Sequence, residues 1–148
     1  MQSTFDDTYF MKKALQEAET AFEKGEIPVG VVIVINETII ARGHNLTELL
    51  NDVTAHAEMQ AITAAANYLG GKYLKDCTMY ATLEPCQMCA GALYWSQISR
   101  LVFAADDPHR GYRRMGGKLH PKTKVSHGIL KEEASELVTR FFEERRKL

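Results

Sequence analysis

The sequence predicts an α/β protein, a three-layer α/β/α sandwich in which a mixed central sheet carries helices on both faces. Three observations carry this. Runs of β-branched residues alternate along the chain with stretches of helical apolar spacing. The 148 residues suit a single domain, 1–148, with a sizeable core. The hydrophobic fraction of 45% is that of an ordinary globular chain, and no repeat or low-complexity tract interrupts it.

Each element has its own signal. Thr8 to Lys24 sets Phe10, Met11, Ala14, Leu15, Ala18, Ala21 and Phe22 on one helical stripe, and Gly25 is a fitting stop. Val29 to Ile35 is a β-branched run that reads as a strand buried on both faces. Asn36-Glu37 predicts a turn into a hairpin partner, Thr38 to Arg42, and the polar stretch Asn45 to Val53 predicts a loop. His56 to Asn67 is rich in alanine and lacks glycine and proline, so it reads as a helix with Thr54 as N-cap. Gly70-Gly71 breaks the chain. Cys77 to Leu83 predicts a third strand, and Cys86 to Gln97 a second helix with Pro85 at its first position, where a missing N–H has no partner to lose. Arg100 to Ala105 predicts a fourth strand. From Asp106, Gly, Arg, Lys and Pro dominate, and no element is predicted before Glu132. There Ala134, Leu137, Val138, Phe141 and Phe142 form a last helical stripe.

Two clusters carry chemistry, His56-Ala57-Glu58 and Pro85-Cys86-Gln87-Met88-Cys89. They supply one imidazole, two thiols and one spare carboxylate. A catalytic zinc takes three protein ligands and leaves one position for water, which fits His56, Cys86 and Cys89 with Glu58 as the base beside them. Cysteines three apart share a helix face, and a helix N-terminus favours the thiolate that binds metal. Two blander readings compete: a redox Cys-x-x-Cys pair, and a structural zinc site with Cys77 as fourth ligand. His-x-Glu upstream argues against the first. Cys77 lies in a β-like run, where a small buried hydrophobe is its natural role. The full H-x-E…P-C-x-x-C pattern matches the signature of zinc nucleobase deaminases.

The formal net charge of −1 excludes a uniformly basic nucleic-acid binder. Its distribution is uneven. Pro108 to Lys131 contains no Asp or Glu but holds Arg110, Arg113, Arg114, Lys118, Lys122, Lys124 and Lys131. This reads either as a solvated loop or as a phosphate-binding strip. No apolar run is long enough to span a bilayer, and MQSTFDDTYFMKK has no signal-peptide pattern. With two of the three cysteines assigned to metal, the expected compartment is the reducing cytoplasm. Met88, Ala92, Leu93, Tyr94 and Trp95 make the second metal helix apolar on more than one face, which predicts a homodimer.

The words GEIPVGVVIV, ARGHN, TAHAEMQAI, CTMYATLEPCQMCAGAL, SRLVFAADD and FFEERRK run through most of the chain. In them the chain resembles the bacterial tRNA-specific adenosine deaminases of the cytidine-deaminase-like superfamily. The resemblance implies a cytidine-deaminase-like fold, one zinc per subunit, no organic cofactor, a homodimer, and conversion of the wobble adenosine of a tRNA anticodon to inosine. It also implies roles: His56, Cys86 and Cys89 hold zinc, and Glu58 shuttles protons. Asn45 hydrogen-bonds the target base, Pro28 and Val29 form the pocket wall, and the Ala57 N–H meets the base edge. Asp107 lies near the ribose, with Asp106 as the alternative alignment. RNA phosphates are expected at Arg110, Arg113, Arg114, Lys118, Arg145 and Arg146. The chain departs from the family after Asp107, where HRGYRRMGGKLHPKTK replaces a Gly-Ser-rich turn, and at Asn51-Asp52-Val53, which lacks an expected proline. A deaminase of free bases, of guanine or cytosine type, would use the same zinc chemistry. A zinc-stabilised binding module would not need Glu58.

Overall fold

The computed structural model describes residues 5–147. Ten elements run in the order α1 (Asp7–Glu23), β1 (Gly30–Ile35), β2 (Thr38–His44), α2 (Ala57–Leu69), β3 (Cys77–Leu83), α3 (Gln87–Ser96), β4 (Arg100–Ala105), α4 (Tyr112–Met115), β5 (Lys124–His127) and α5 (Lys131–Arg146). The five strands form one sheet in the order β2-β1-β3-β4-β5. β1 pairs antiparallel with β2 and β3, and β4 pairs parallel with β3 and β5, so the sheet is mixed.

Side-chain alternation sorts the core into two layers. Val31 and Ile33 of β1 pack with Met79, Leu101 and Phe103 under α2 and α3, which contribute Ala57, Ala61, Ala65, Ala90 and Leu93. Val32 and Val34 point the other way, to Phe10, Met11 and Ala14 of α1 and Ala134 of α5. This is the predicted three-layer sandwich. Cys77 is fully buried in the first layer, the hydrophobic role its sequence context suggested.

Close helix seating needs small residues. A Cβ on Gly30 would lie 2.1 Å from the Ala14 carbonyl oxygen, and one on Gly43 would lie 2.3 Å from that of Ala57. Glycine at these two strand positions lets α1 and α2 sit directly on the sheet. The β1–β2 hairpin turns on Asn36 and Glu37, both at positive φ, the geometry that matches strand twist.

Three local expectations are corrected. Thr54 does not cap α2; Asp52 engages its N–H and hydroxyl at 2.8 and 2.7 Å, and His56 itself is the N-cap. Likewise Cys86 is the N-cap of α3, which puts Pro85 one residue outside the helix. The segment after Asp106 is ordered: α4 and β5 form there, and α5 begins at Lys131. α4 and β5 are only four residues each, too short for a periodic signal. Among the described residues no helix is long and apolar enough to cross a membrane.

Asp7 ties α1 to the sheet. It accepts from Tyr80 Oη at 2.7 Å and from both terminal nitrogens of Arg100 at 2.8 Å. The Arg100 hydrogen bonds hold its carboxyl below the ordinary value of 3.8. Its stabilising effect is therefore complete above that pH and fades as pH falls through the lowered value. Asp7→Asn is expected to cost about 1 kcal/mol near pH 7, since the pair is partly solvated. The difference from the parent protein should shrink below pH 4, as urea unfolding at both pH values will check.

Candidate active site

The carboxyl ends of β2, β3 and β4 and the amino end of β1 lie along one edge of the sheet. Open α/β sheets bind ligands at this edge. A cleft of about 1150 Å³ opens there. β2 leads through the Asn45–Ala55 loop into α2, and β3 leads through Glu84-Pro85 into α3. Both helices are therefore aimed at the cleft with their N-terminal ends, and each N-cap is a predicted metal ligand: His56 on α2 and Cys86 on α3. Cys89 follows one turn into α3 and is fully buried.

His56 Nδ1 lies 3.6 Å from Cys86 Sγ and 3.5 Å from Cys89 Sγ, and the three ligand atoms all fall within 4.8 Å of one another. Tetrahedral zinc, with bonds of about 2.3 Å to sulfur and 2.0–2.1 Å to nitrogen, sets its S···N edges about 3.6 Å apart. The donors therefore fit zinc in type, number and spacing. The Cys89 thiol donating to Cys86 lowers the Cys86 thiol to about 4, with His56 adding to the effect. The same contact, with burial, holds the Cys89 thiol well above its ordinary value. Two adjacent thiolates repel each other, and a bound divalent cation resolves that conflict.

Glu58, at the second position of α2, is buried beside the three donors, close enough to feel the charges of His56 and Cys86. Burial is the main cause that pushes its carboxyl up to about 7. A group in that range both takes and returns protons near neutral pH.

The other predicted site residues are distributed as follows. Asn45 is buried on the cleft, and its Oδ1 has no hydrogen-bond partner among the described residues. A buried acceptor left open is costly unless something fills it. Ala57 lines the cleft, and its N–H belongs to the helix start, where intrahelical partners are missing. Val29 and Ile27 line the cleft, and Pro28 between them is buried. Asp106 and Asp107 both line the cleft, and Asp107 Oδ1 accepts from the N–H groups of His109 and Arg110.

The basic residues divide. Arg110 stands exposed on the rim, and Arg114, Lys118 and Arg146 are exposed. Arg113 is engaged internally, with Glu84 at 3.0 Å and Asp106 at 2.9 Å. Its Nε and Nη2 donors are committed to these carboxylates, so the structure gives Arg113 an internal ion-pair role that the phosphate reading did not foresee. Arg145 bonds the Gly25 carbonyl and lies 4.7 Å over the Phe141 ring.

Sequence reasoning missed two buried carboxylates. Glu26 accepts the N–H groups of Glu48 and Leu49 at 3.0 and 2.8 Å, holding the loop that forms one cleft wall. Glu84 does the same for the opposite wall. Burial alone would raise its carboxyl, but the donors of Arg113 and of two backbone N–H groups outweigh that and lower it. A charged residue inside an otherwise apolar word, GEIPVG or ATLEPC, was the available signal.

Comparison with known proteins agrees with this geometry. A relative from Aquifex aeolicus, a tRNA-specific adenosine deaminase, is 47% identical over 144 residues, covering 93% of this chain and 95% of its own. A solved structure from work on A-to-I editing by tRNA:A34 deaminases at the wobble position superposes with TM-score 0.82 and 41% identity, over 88% of this chain and 99% of the other. Guanine deaminase from Bacillus subtilis superposes with TM-score 0.66 and 38% identity, over 76% of this chain and 69% of the other. Residues 4–105 match the model of the cytidine and deoxycytidylate deaminase zinc-binding region. With this match, these relatives and a donor trio of zinc spacing, the chain belongs to the cytidine and deoxycytidylate deaminase family of zinc enzymes.

Proposed function

We propose that the protein converts adenosine to inosine at the wobble position of a tRNA anticodon, as a zinc-dependent hydrolytic deaminase of the cytoplasm. One observation carries the reading. Three metal donors and a spare buried carboxylate meet at a cleft of about 1150 Å³. That exceeds the roughly 300–1,000 Å³ of small-molecule pockets, so there is room for nucleotides beside the one that reacts. The three cysteines, none in a disulfide, suit a reducing compartment.

His56, Cys86 and Cys89 would hold the zinc. When bound, zinc supplies Lewis acidity that brings the pKa of a water toward 7. Glu58 takes a proton from the attacking water and passes it to N1 of adenine, while the new C–O bond forms at C6. Glu58 then carries the second proton to the amine, the C–N bond breaks, and ammonia leaves. Asn45 offers a hydrogen bond to the base, Ala57 its backbone N–H, Val29 an apolar wall, and Asp107 a position beside the ribose. The base must leave its stack to reach this floor, at less cost from an unpaired anticodon loop.

A paired substitution separates catalysis from metal binding. Glu58→Gln is expected to keep one zinc per chain and lose about 10²–10⁴ of its turnover, whereas Cys86→Ala loses the zinc. Elemental analysis beside an inosine assay reads both. Zinc lost from Glu58→Gln would make Glu58 a ligand.

The exposed Arg110 and Arg114 are the best placed phosphate partners. Replacing both with glutamine should weaken tRNA binding and lower the salt slope by about one per contact, with turnover at saturating tRNA changing far less. Wild-type protein with no salt-dependent tRNA affinity, but releasing ammonia from guanine or cytosine, would transfer the site to free bases.

The homodimer is the assembly we infer. Trp95 on α3 is 77% exposed and stands beside the half-buried Tyr94, and Met115 on the neighbouring α4 is 49% exposed. Sedimentation equilibrium should give twice the 16.7 kDa chain mass. A concentration-independent single-chain mass would refute it.

A further inference from the structure

The turn after β4 is fastened to the metal-bearing turn by one buried carboxylate. Glu84 lies between β3 and Cys86, and its side chain is 2% exposed. Its Oε1 accepts the Asp107 N–H and Arg113 Nη2, both at 3.0 Å. Its Oε2 accepts the Arg113 N–H and Nε, both at 3.1 Å. All four bonds run to one short stretch, residues 107–113. Gly111 passes so close above that a Cβ there would lie 2.3 Å from Glu84 Cδ. Backbone contacts run alongside: the Tyr112 N–H donates to the Pro85 carbonyl at 2.8 Å, and Gly111 bridges to Cys86. On its far side the Arg113 guanidinium reaches Asp106 at 2.9 Å and lies 5.0 Å over the Phe103 ring. Lys131 holds the other Asp106 oxygen at 3.3 Å.

Residues Asp106 to Arg110 form a wall of the cleft. From the clamp beneath that wall we propose that Glu84 and Arg113 are positioning residues: the pair sets the distance between the Asp106–Arg110 wall and the Cys86 turn, and so governs binding of the target nucleotide without touching it. The proposal takes from the deaminase reading only the identity of what is bound. The clamp stands on its own distances. A carboxylate with four donors from one loop leaves that loop little freedom. A guanidinium placed on two carboxylates and an aromatic face has few donors left for phosphate.

Glu84→Gln and Arg113→Met, singly and combined, test this in the intact zinc-loaded protein. Amide hydrogen exchange needs no substrate. Each single variant should speed exchange in residues 106–113 by tenfold or more, on the order of one lost charge-assisted hydrogen bond, and leave α2 unchanged. Kinetics on tRNA should show KM raised about 10- to 100-fold with kcat nearly constant and one zinc per chain, because a wall that holds ground and transition states alike acts on binding. The double variant should be no worse than Glu84→Gln alone, since both changes open one clamp. If Glu84→Gln does not fold, Arg113→Met carries both readouts, because its side chain is 44% exposed. Unchanged exchange in 106–113 would overturn the proposal. So would a lowered melting temperature with unaltered KM and kcat, which marks a purely structural pair. Additive losses with a salt slope reduced by about one in Arg113→Met would return Arg113 to phosphate contact and also overturn it. If the wild-type protein turns over no tRNA, the deaminase reading fails, while the exchange result still decides the clamp.

Discussion

The meeting of two helix starts is the constraint on which the rest of this structure depends. The metal donors are not brought together by a loop wrapped around an ion. They sit on the N-caps of α2 and α3 and on the first turn of α3, so their spacing is set by how two helices rest on one sheet. That seating uses small residues. Ala57, Ala61 and Ala65 on α2 and Gly43 on β2 let the helix backbone approach the strand backbone. Larger side chains would lift α2 and carry His56 away from the two thiols. The macrodipoles add to the effect, because two positive helix ends point at the place where thiolates must form.

Three buried glutamates show how burial and partners decide what a carboxylate does. Glu26 and Glu84 give their oxygens to backbone N–H groups and, for Glu84, to a guanidinium. A carboxylate with its oxygens engaged in this way holds chain in place. Glu58 is buried as deeply, yet it faces the cleft and a thiol, with burial as the leading influence on its proton. It is the one that remains available for proton transfer. Each wall of the cleft thus rests on one spent carboxylate, and the floor presents one unspent.

The positive charge follows a similar division. A stretch of 24 residues without an acidic side chain, 108–131, invites reading as one phosphate-binding surface. In the fold its cations go to different tasks. Arg113 and Lys131 neutralise Glu84 and Asp106, residues that precede the stretch in sequence but lie against it in space. Arg110 and Arg114 remain on the outside. An acid-free stretch is therefore not free of acids in three dimensions, and local composition overstates the charge offered to a partner.

What the sequence determined alone is the chemistry and the layering. Zinc ligands are recognisable because only a few side chains bind zinc, and His-x-Glu with Pro-Cys-x-x-Cys leaves few other uses for them. The first four strands and the long helices are legible because apolar periodicity survives over seven or more residues or in unbroken β-branched runs. Tertiary structure decided what depends on distant partners. The cap of α2 passed from Thr54 to His56 because Asp52 captured the threonine. Ile27 and Val29 came to line the cleft with Pro28 buried between them, a placement that packing around the segment decides. α4 and β5 formed without a periodic signal because β4 offers β5 a free edge and Pro85 and Cys86 pin the turn before α4. Arg113 changed role for the same reason: its partner lies 29 residues away, and only the folded sheet brings Glu84 within 3 Å of it.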